Sequence, residues 1–228
     1  MKRQICKTST LPRPHQYVIA LEGEYRHIAF SEERAPANKG KWRELVFGEK
    51  NSDRPMDLEI GTGNGFHFAH RAESDRSRLI VGIELKYKPL IQAIRRAQMC
   101  GYKNSAIARY HAFHTDELFL EGEINNVYIH FPDPWTTPNK PKNRVVNKEV
   151  LEMLYRLQRP GTFLEFKTDS REYFLWAMEE IKQTPYVQGE FTMNLHQSEF
   201  SATNFITGFE KIFLQKGIEI NYVKLYKH

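Results

Sequence analysis

After a poorly periodic stretch of about fifty residues, the chain changes between two hydrophobic rhythms. Short continuous apolar runs at Met56–Ile60, Leu79–Glu84, Ala106–Tyr110, Asn126–Phe131 and Thr162–Lys167 predict strands. The segments Gly65–Glu73, Pro89–Cys100 (closed by Gly101), Asn147–Leu157 and Ser170–Gln183 carry helical spacing instead. A strand at Val187–Leu195, a helix at Gly208–Lys216 and a strand at Ile218–Leu225 complete the series. Strands that are apolar throughout are buried on both faces, so their alternation with helices predicts an α/β fold. Its sheet is mostly parallel, with helices on both faces and an antiparallel C-terminal strand. Residues 51–228 then make one domain and residues 1–50 a basic, partly disordered N-terminal extension, with no internal repeat or low-complexity tract.

Composition narrows the partner more than the fold. The 228 residues are 40% hydrophobic and 13% aromatic, enough for a full core. Lys and Arg number 33 against 28 acids, and the excess is concentrated. Residues 1–16 carry Lys2, Arg3, Lys7 and Arg13 with no acid, and residues 136–148 carry Lys140, Lys142, Arg144 and Lys148 with none. Acid-free basic segments favour a polyanionic partner; the blander reading is a solvated tail and a solubilising loop. Two cysteines, Cys6 and Cys100, build neither a disulfide framework nor a zinc ribbon and fit a reducing cytoplasm. Nothing approaches the roughly 18 apolar residues of a membrane span, and Gln4–His15 is too polar for a signal peptide, so a cytoplasmic protein with no membrane association is expected.

The first predicted strand runs into Leu58-Glu59-Ile60-Gly61-Thr62-Gly63-Asn64-Gly65, and the second ends Gly82-Ile83-Glu84. Glycines at such a turn let backbone approach a ligand, and an acid about 20 residues on can hold a ribose diol. A dinucleotide fingerprint would need its third glycine at position 66, which is Phe66, and the Glu59 carboxylate would repel a pyrophosphate. S-adenosylmethionine, with a sulfonium, an ammonium and an unphosphorylated ribose, meets both conditions. Tight strand-to-helix packing is the structural alternative for the same glycines.

Further on stands His130-Phe131-Pro132-Asp133-Pro134-Trp135, then the loop Asn139-Lys140-Pro141-Lys142-Asn143-Arg144. The prolines stop the sheet and hold one carboxylate and one indole at a strand's carboxyl end, where open α/β sheets bind ligands. Asp133 is placed to accept hydrogen bonds from a base edge and Trp135 to stack on its ring; the structural alternatives are a capped turn and a buried anchor. Asp169 also stands where a helix N-cap would, and Phe209 reads equally as core. His67 with His70 and His111 with His114 have helical spacing, but no motif completes a ligand set, and no metal is expected.

Together the turn Leu58–Gly65, Glu84, the segment Phe131–Trp135 with its basic loop, Thr168-Asp169 with Tyr173, and Thr207-Gly208-Phe209-Glu210 resemble the bacterial tRNA (guanine-N7)-methyltransferases, from about Met56 to the C-terminus. The resemblance implies a Rossmann-like class I methyltransferase fold, S-adenosylmethionine as donor, tRNA as partner, and methylation of N7 of a guanine in the variable loop, usually position 46. It implies cofactor contacts at Glu59, Gly61, Gly63, Gly65 and Glu84, and a catalytic, cofactor-adjacent acid at Asp133. Substrate contacts are implied at Asp169, Thr207, Gly208, Phe209 and Glu210, and an RNA-facing loop at Asn139, Lys140, Lys142 and Arg144. The chain departs from the pattern at His111, where an Asp or Asn would meet the adenine, at Thr137, where a lysine is usual, and at Pro138 and Pro141, where the family is more basic. The oligomeric state stays open between monomer and homodimer. Two other readings remain: a noncatalytic tRNA-binding module with a decayed cofactor pocket, and an NAD-type oxidoreductase, which gives the basic loop no role.

Overall fold

Every residue of β2 (Met56–Ile60) and β3 (Leu79–Ile83) is buried, as unbroken apolar runs require of strands covered on both sides. The computed structural model describes residues 7–11, 15–99, 101, 103–137 and 141–228. Around β2 and β3 stand β1 (Ala29–Phe30), β4 (Ser105–Ala108), β5 (Val127–His130), β6 (Thr162–Thr168), β7 (Val187–Thr192) and β8 (Asn221–Lys227). They form one sheet in the order β1-β4-β3-β2-β5-β6-β8-β7. The pairings from β1 to β6 are parallel, and β8 runs antiparallel between β6 and β7. From β2 the chain winds to β3 and β4 on one side, then returns to β5 and β6 on the other. The strand order therefore reverses between β2 and β5, the crevice where α/β sheets bind ligands.

The helices are α1 (Gln16–Glu22), α2 (Phe66–Ser74), α3 (Tyr87–Met99), α4 (Lys148–Leu157), α5 (Arg171–Ile181) and α6 (Gly208–Gln215). Leu21 of α1, Phe68 of α2 and Leu90 of α3 pack with Ile80 and Ile107 on one face of the sheet. Leu151 of α4 and Phe174 of α5 pack with Val81, Ile129 and Leu164 on the other. No helix among the described residues is long and apolar enough to cross a membrane.

Two segments differ from the pattern-based expectation. From Gln16 to Val46, where the sequence predicts no element, the chain adds α1 and β1 to the sheet, Ala29 pairing with Ile107, and buries Trp42. The Trp42 indole donates to the Leu118 carbonyl at 2.8 Å and stacks on Phe119. A strand of two residues carries no period to read. The last strand begins at Asn221, not Ile218: Ile220 is buried beside Leu195 and its carbonyl accepts from the Leu195 amide, so the apolar pattern extends beyond the ladder.

Candidate active site

At the reversal point lies a cavity of about 400 Å³, walled by the glycine turn, the carboxyl ends of β3 and β5, and the start of α6. Gly61 and Gly63 adopt left-handed φ of 76° and 51°, and a Cβ on either would meet nothing within 4 Å. Their missing side chains keep the cradle open. Gly65 also lines the cavity, but a Cβ there would stand 2.3 Å from Ala93 Cα, so close packing of α2 on α3 dictates that glycine. Glu84 is fixed across the turn: one carboxylate oxygen accepts from the Gly63 amide at 3.1 Å and the other from the Lys86 amide at 2.8 Å. Each oxygen keeps a second lone pair for a ligand.

Glu59 lines the same wall, 3% exposed, with its carboxylate 2.7 Å from His67 Nδ1, so its charge is shared with an imidazole. His111 is a wall residue and caps the turn Ala112–Glu117, its Nδ1 accepting from the Phe113 amide at 3.2 Å. An Asp or Asn would make the same cap. With Nδ1 an acceptor, the neutral ring carries its proton on Nε2. His70 stacks on Phe205 at 3.9 Å.

Asp133 is exposed at the cavity's edge, and its two flanks are unusual. Phe131 and Trp135 are non-glycine residues with φ of 51° and 46°, a conformation costing about 1–2 kcal/mol each. The surroundings hold them. The Phe131 amide donates to the Lys167 carbonyl at 2.8 Å, its ring meets Phe213, and Trp135 is half-buried against the cavity.

Arg144 corrects the sequence reading. Expected to face RNA, it is 2% exposed, donates from Nε to the Pro134 carbonyl and from Nη2 to Glu172, and lies over the rings of Tyr173 and Trp176. It is an internal strut beneath the Asp133 turn. Glu210, expected to touch substrate, is also buried: it closes a capping box with Thr207 and sits 3.6 Å from the buried Lys167 amine. Thr207, Gly208 and Phe209 do line the cavity, and Phe209 is 53% exposed at its rim, outside any core. The N-cap of α5 is Ser170, not Asp169, which stays half-buried just past β6 and off the cavity wall. Lys142 is exposed on the turn Pro141–Asn143, and Thr137 is exposed away from the wall. Asn139 and Lys140 lie outside the described residues.

Several wall residues had no contact assigned from the sequence, Phe66 and His130 among them. Phe66, 43% exposed, carries the Arg96 guanidinium 3.8 Å from its ring centre. Asn143 also lines the wall, and its buried Oδ1 meets no partner among the described residues. His130 ends β5; an imidazole closing an apolar strand was the signal available. Three carboxylates, Glu59, Glu84 and Asp133, around an open glycine cradle fit a cationic ligand without phosphate, which is what S-adenosylmethionine is. They disfavour a dinucleotide, and the intact cradle with its fixed Glu84 is not a decayed pocket.

Among known proteins, the family described as "Putative methyltransferase" matches residues 53–222. A tRNA (guanine-N(7)-)-methyltransferase of Bdellovibrio bacteriovorus is 62% identical over 209 residues, covering 92% of this chain and 100% of its own. One from Brevibacillus brevis is 30% identical, covering 82% and 85%. Among solved structures, an antibiotic-related methyltransferase superposes with a TM-score of 0.54 at 17% identity over 76% of this chain and 87% of its own, a likeness of fold alone. Convergence on a fold does not produce 62% identity along the whole of a relative, and the chain belongs to the tRNA (guanine-N7)-methyltransferase family.

Proposed function

We propose that this protein transfers the methyl group of S-adenosylmethionine to N7 of a guanine in tRNA, at position 46 of the variable loop, in the cytoplasm. The observation that carries this reading is the placement of Asp133. It stands between two residues of left-handed backbone, at the edge of a cavity that the glycine cradle and Glu84 also line.

The cofactor supplies an electrophilic methyl on a sulfonium. N7 of neutral guanine has a free lone pair, so no proton leaves before transfer and the protein needs no general base. Its task is alignment, an effect that supplies about 7–11 kcal/mol in favourable cases. Glu84 accepts from the ribose hydroxyls, and Gly61 and Gly63 leave room for the amino-acid portion. Asp133 accepts from the donor edge of the base and stabilises the positive charge that moves onto the purine. Trp135 and the exposed Phe209 offer rings on which an unstacked guanine rests. Lys142 faces the phosphates.

The test is methylation of tRNA lacking 7-methylguanosine, with mapping of the modified base, alongside single-turnover rates of Asp133→Ala. The expected result is one modified guanine and a rate loss much larger than the loss of tRNA affinity, not recovered at alkaline pH. tRNA binding without transfer by the parent protein supports the binding-module reading and overturns this one. Parent-like rates in Asp133→Ala, or rescue by raised pH, overturn the role of Asp133.

A further inference from the structure

His130 forms part of the cavity wall, yet the reaction above gives it no task. Its Nε2 lies 2.8 Å from a Glu165 oxygen, and the side chain is 6% exposed. Burial first, then the nearby Lys167 cation, hold the imidazole well below its ordinary range, so the ring is neutral. Burial is the largest single influence and would raise the Glu165 carboxyl, but the hydrogen bond from His130 and the neighbouring positive charge, Lys167 included, together bring it down to about 2, so Glu165 is ionised. The neutral ring therefore donates from Nε2 and carries a bare lone pair on Nδ1. That nitrogen is buried and meets no donor among the described residues. Leaving such an acceptor unmet costs about 1–3 kcal/mol, a cost removed when a ligand donates to it.

The surroundings define the donor. Ile129 pairs with Ile60, so His130 stands beside Gly61 where the cradle begins. Its ring is 4.3 Å from that of His67, which holds the Glu59 carboxylate. The neighbouring cation, Lys167, is turned to Asn204 and Glu210. A carboxylate and a bare imidazole nitrogen on one stretch of wall select a positively charged group rich in N–H donors. Guanine presented for attack at N7 shows the acceptors N7 and O6 on its reacting edge, the wrong polarity. The cofactor's amino-acid end has the right one.

Resting on the methyltransferase reading, we propose that His130 binds the ammonium group of S-adenosylmethionine through Nδ1, with Glu59 supplying the opposing charge. Two probes isolate this contact: S-adenosylhomocysteine, which has the amino-acid end, and 5′-methylthioadenosine, which lacks it. In calorimetric titration His130→Leu binds S-adenosylhomocysteine about 10–100-fold more weakly, the worth of one hydrogen bond to a charged group, and binds 5′-methylthioadenosine as the parent does. His130→Gln, which keeps an acceptor, recovers part of the loss. Independently of any substitution, the Nδ1 resonance of His130 in ¹⁵N NMR of the parent protein shifts with S-adenosylhomocysteine and not with 5′-methylthioadenosine. Equal weakening of both ligands, or no shift of Nδ1, overturns the assignment. Binding of neither ligand by the parent protein removes the methyltransferase reading and this assignment with it.

Discussion

Arg144→Ala separates an internal strut from an RNA contact. The substitution removes a hydrogen bond from a charged donor to the Pro134 carbonyl at 2.8 Å, worth about 1.5–3 kcal/mol. It also removes two guanidinium–ring contacts at 5.0 and 4.9 Å, each worth about 0.5–2 kcal/mol. The ion pair with Glu172 adds close to nothing, because that carboxylate is 67% exposed. Release of the arginine's rotamer entropy returns about 2 kcal/mol. The net cost is about 3 kcal/mol, against a total of about 5–15 for a typical protein, and corresponds to a Tm lower by about 6–12 °C for a chain of this size. Because Pro134 follows Asp133 directly, turnover falls with stability. The salt dependence of tRNA binding, in contrast, is unchanged, since a side chain with 2% exposure touches no phosphate. Urea melts and tRNA binding at several salt concentrations measure the two effects, with Lys142→Ala as the comparison expected to lower the salt slope by about one. A melt indistinguishable from the parent's, or a slope lowered by about one in Arg144→Ala, refutes the reasoning.

The glycine turn gives a paired test. Gly61→Ala places a methyl group in the cavity and weakens cofactor binding more than it lowers stability, whereas Gly65→Ala, with its Cβ 2.3 Å from Ala93 Cα, chiefly destabilises the fold; calorimetry and thermal melts showing the reverse order would overturn this division. Glu84→Ala weakens S-adenosylhomocysteine binding by about 10–100-fold, through hydrogen bonds lost from the ribose to a carboxylate, and unchanged affinity removes that contact. Acid lowers stability in two windows. His130, held neutral by burial, binds fewer protons folded than unfolded below 6.5, and Glu165, held at about 2, does so below 4.5. The urea midpoint therefore falls from pH 7 to pH 5, less steeply in His130→Gln, and a midpoint that rises on acidification contradicts the neutral imidazole.

The elements from Met56 to Ile181 were legible because burial on both faces leaves an apolar run for each strand, and a cap such as Asn147 announces its helix. What escaped depends on partners distant in sequence. Trp42 finds its place against Leu118, 76 residues on, and against Phe119 beside it. Gly61, Gly63 and Glu84 are recognisable from spacing because backbone approach and a strand-end acid are local devices. Arg144 and Glu210 misled because a charge in a basic or polar stretch reads as exposed, while Glu172, Trp176 and Lys167, which bury them, lie elsewhere in the chain. His130 announced only its place at a strand's end, since Glu165, 35 residues on, decides which of its nitrogens is bare.

The left-handed backbone at Phe131 and Trp135 also has a bearing on how the protein can be improved. Selection for heat resistance finds easy gains wherever an L side chain occupies such a conformation, because glycine relieves the strain at once. Here those gains lie on either side of Asp133, the residue proposed to meet the base. Glycine at either position loosens the turn that aims Asp133, so variants evolved for survival at high temperature drift away from rapid turnover unless activity is screened in the same round.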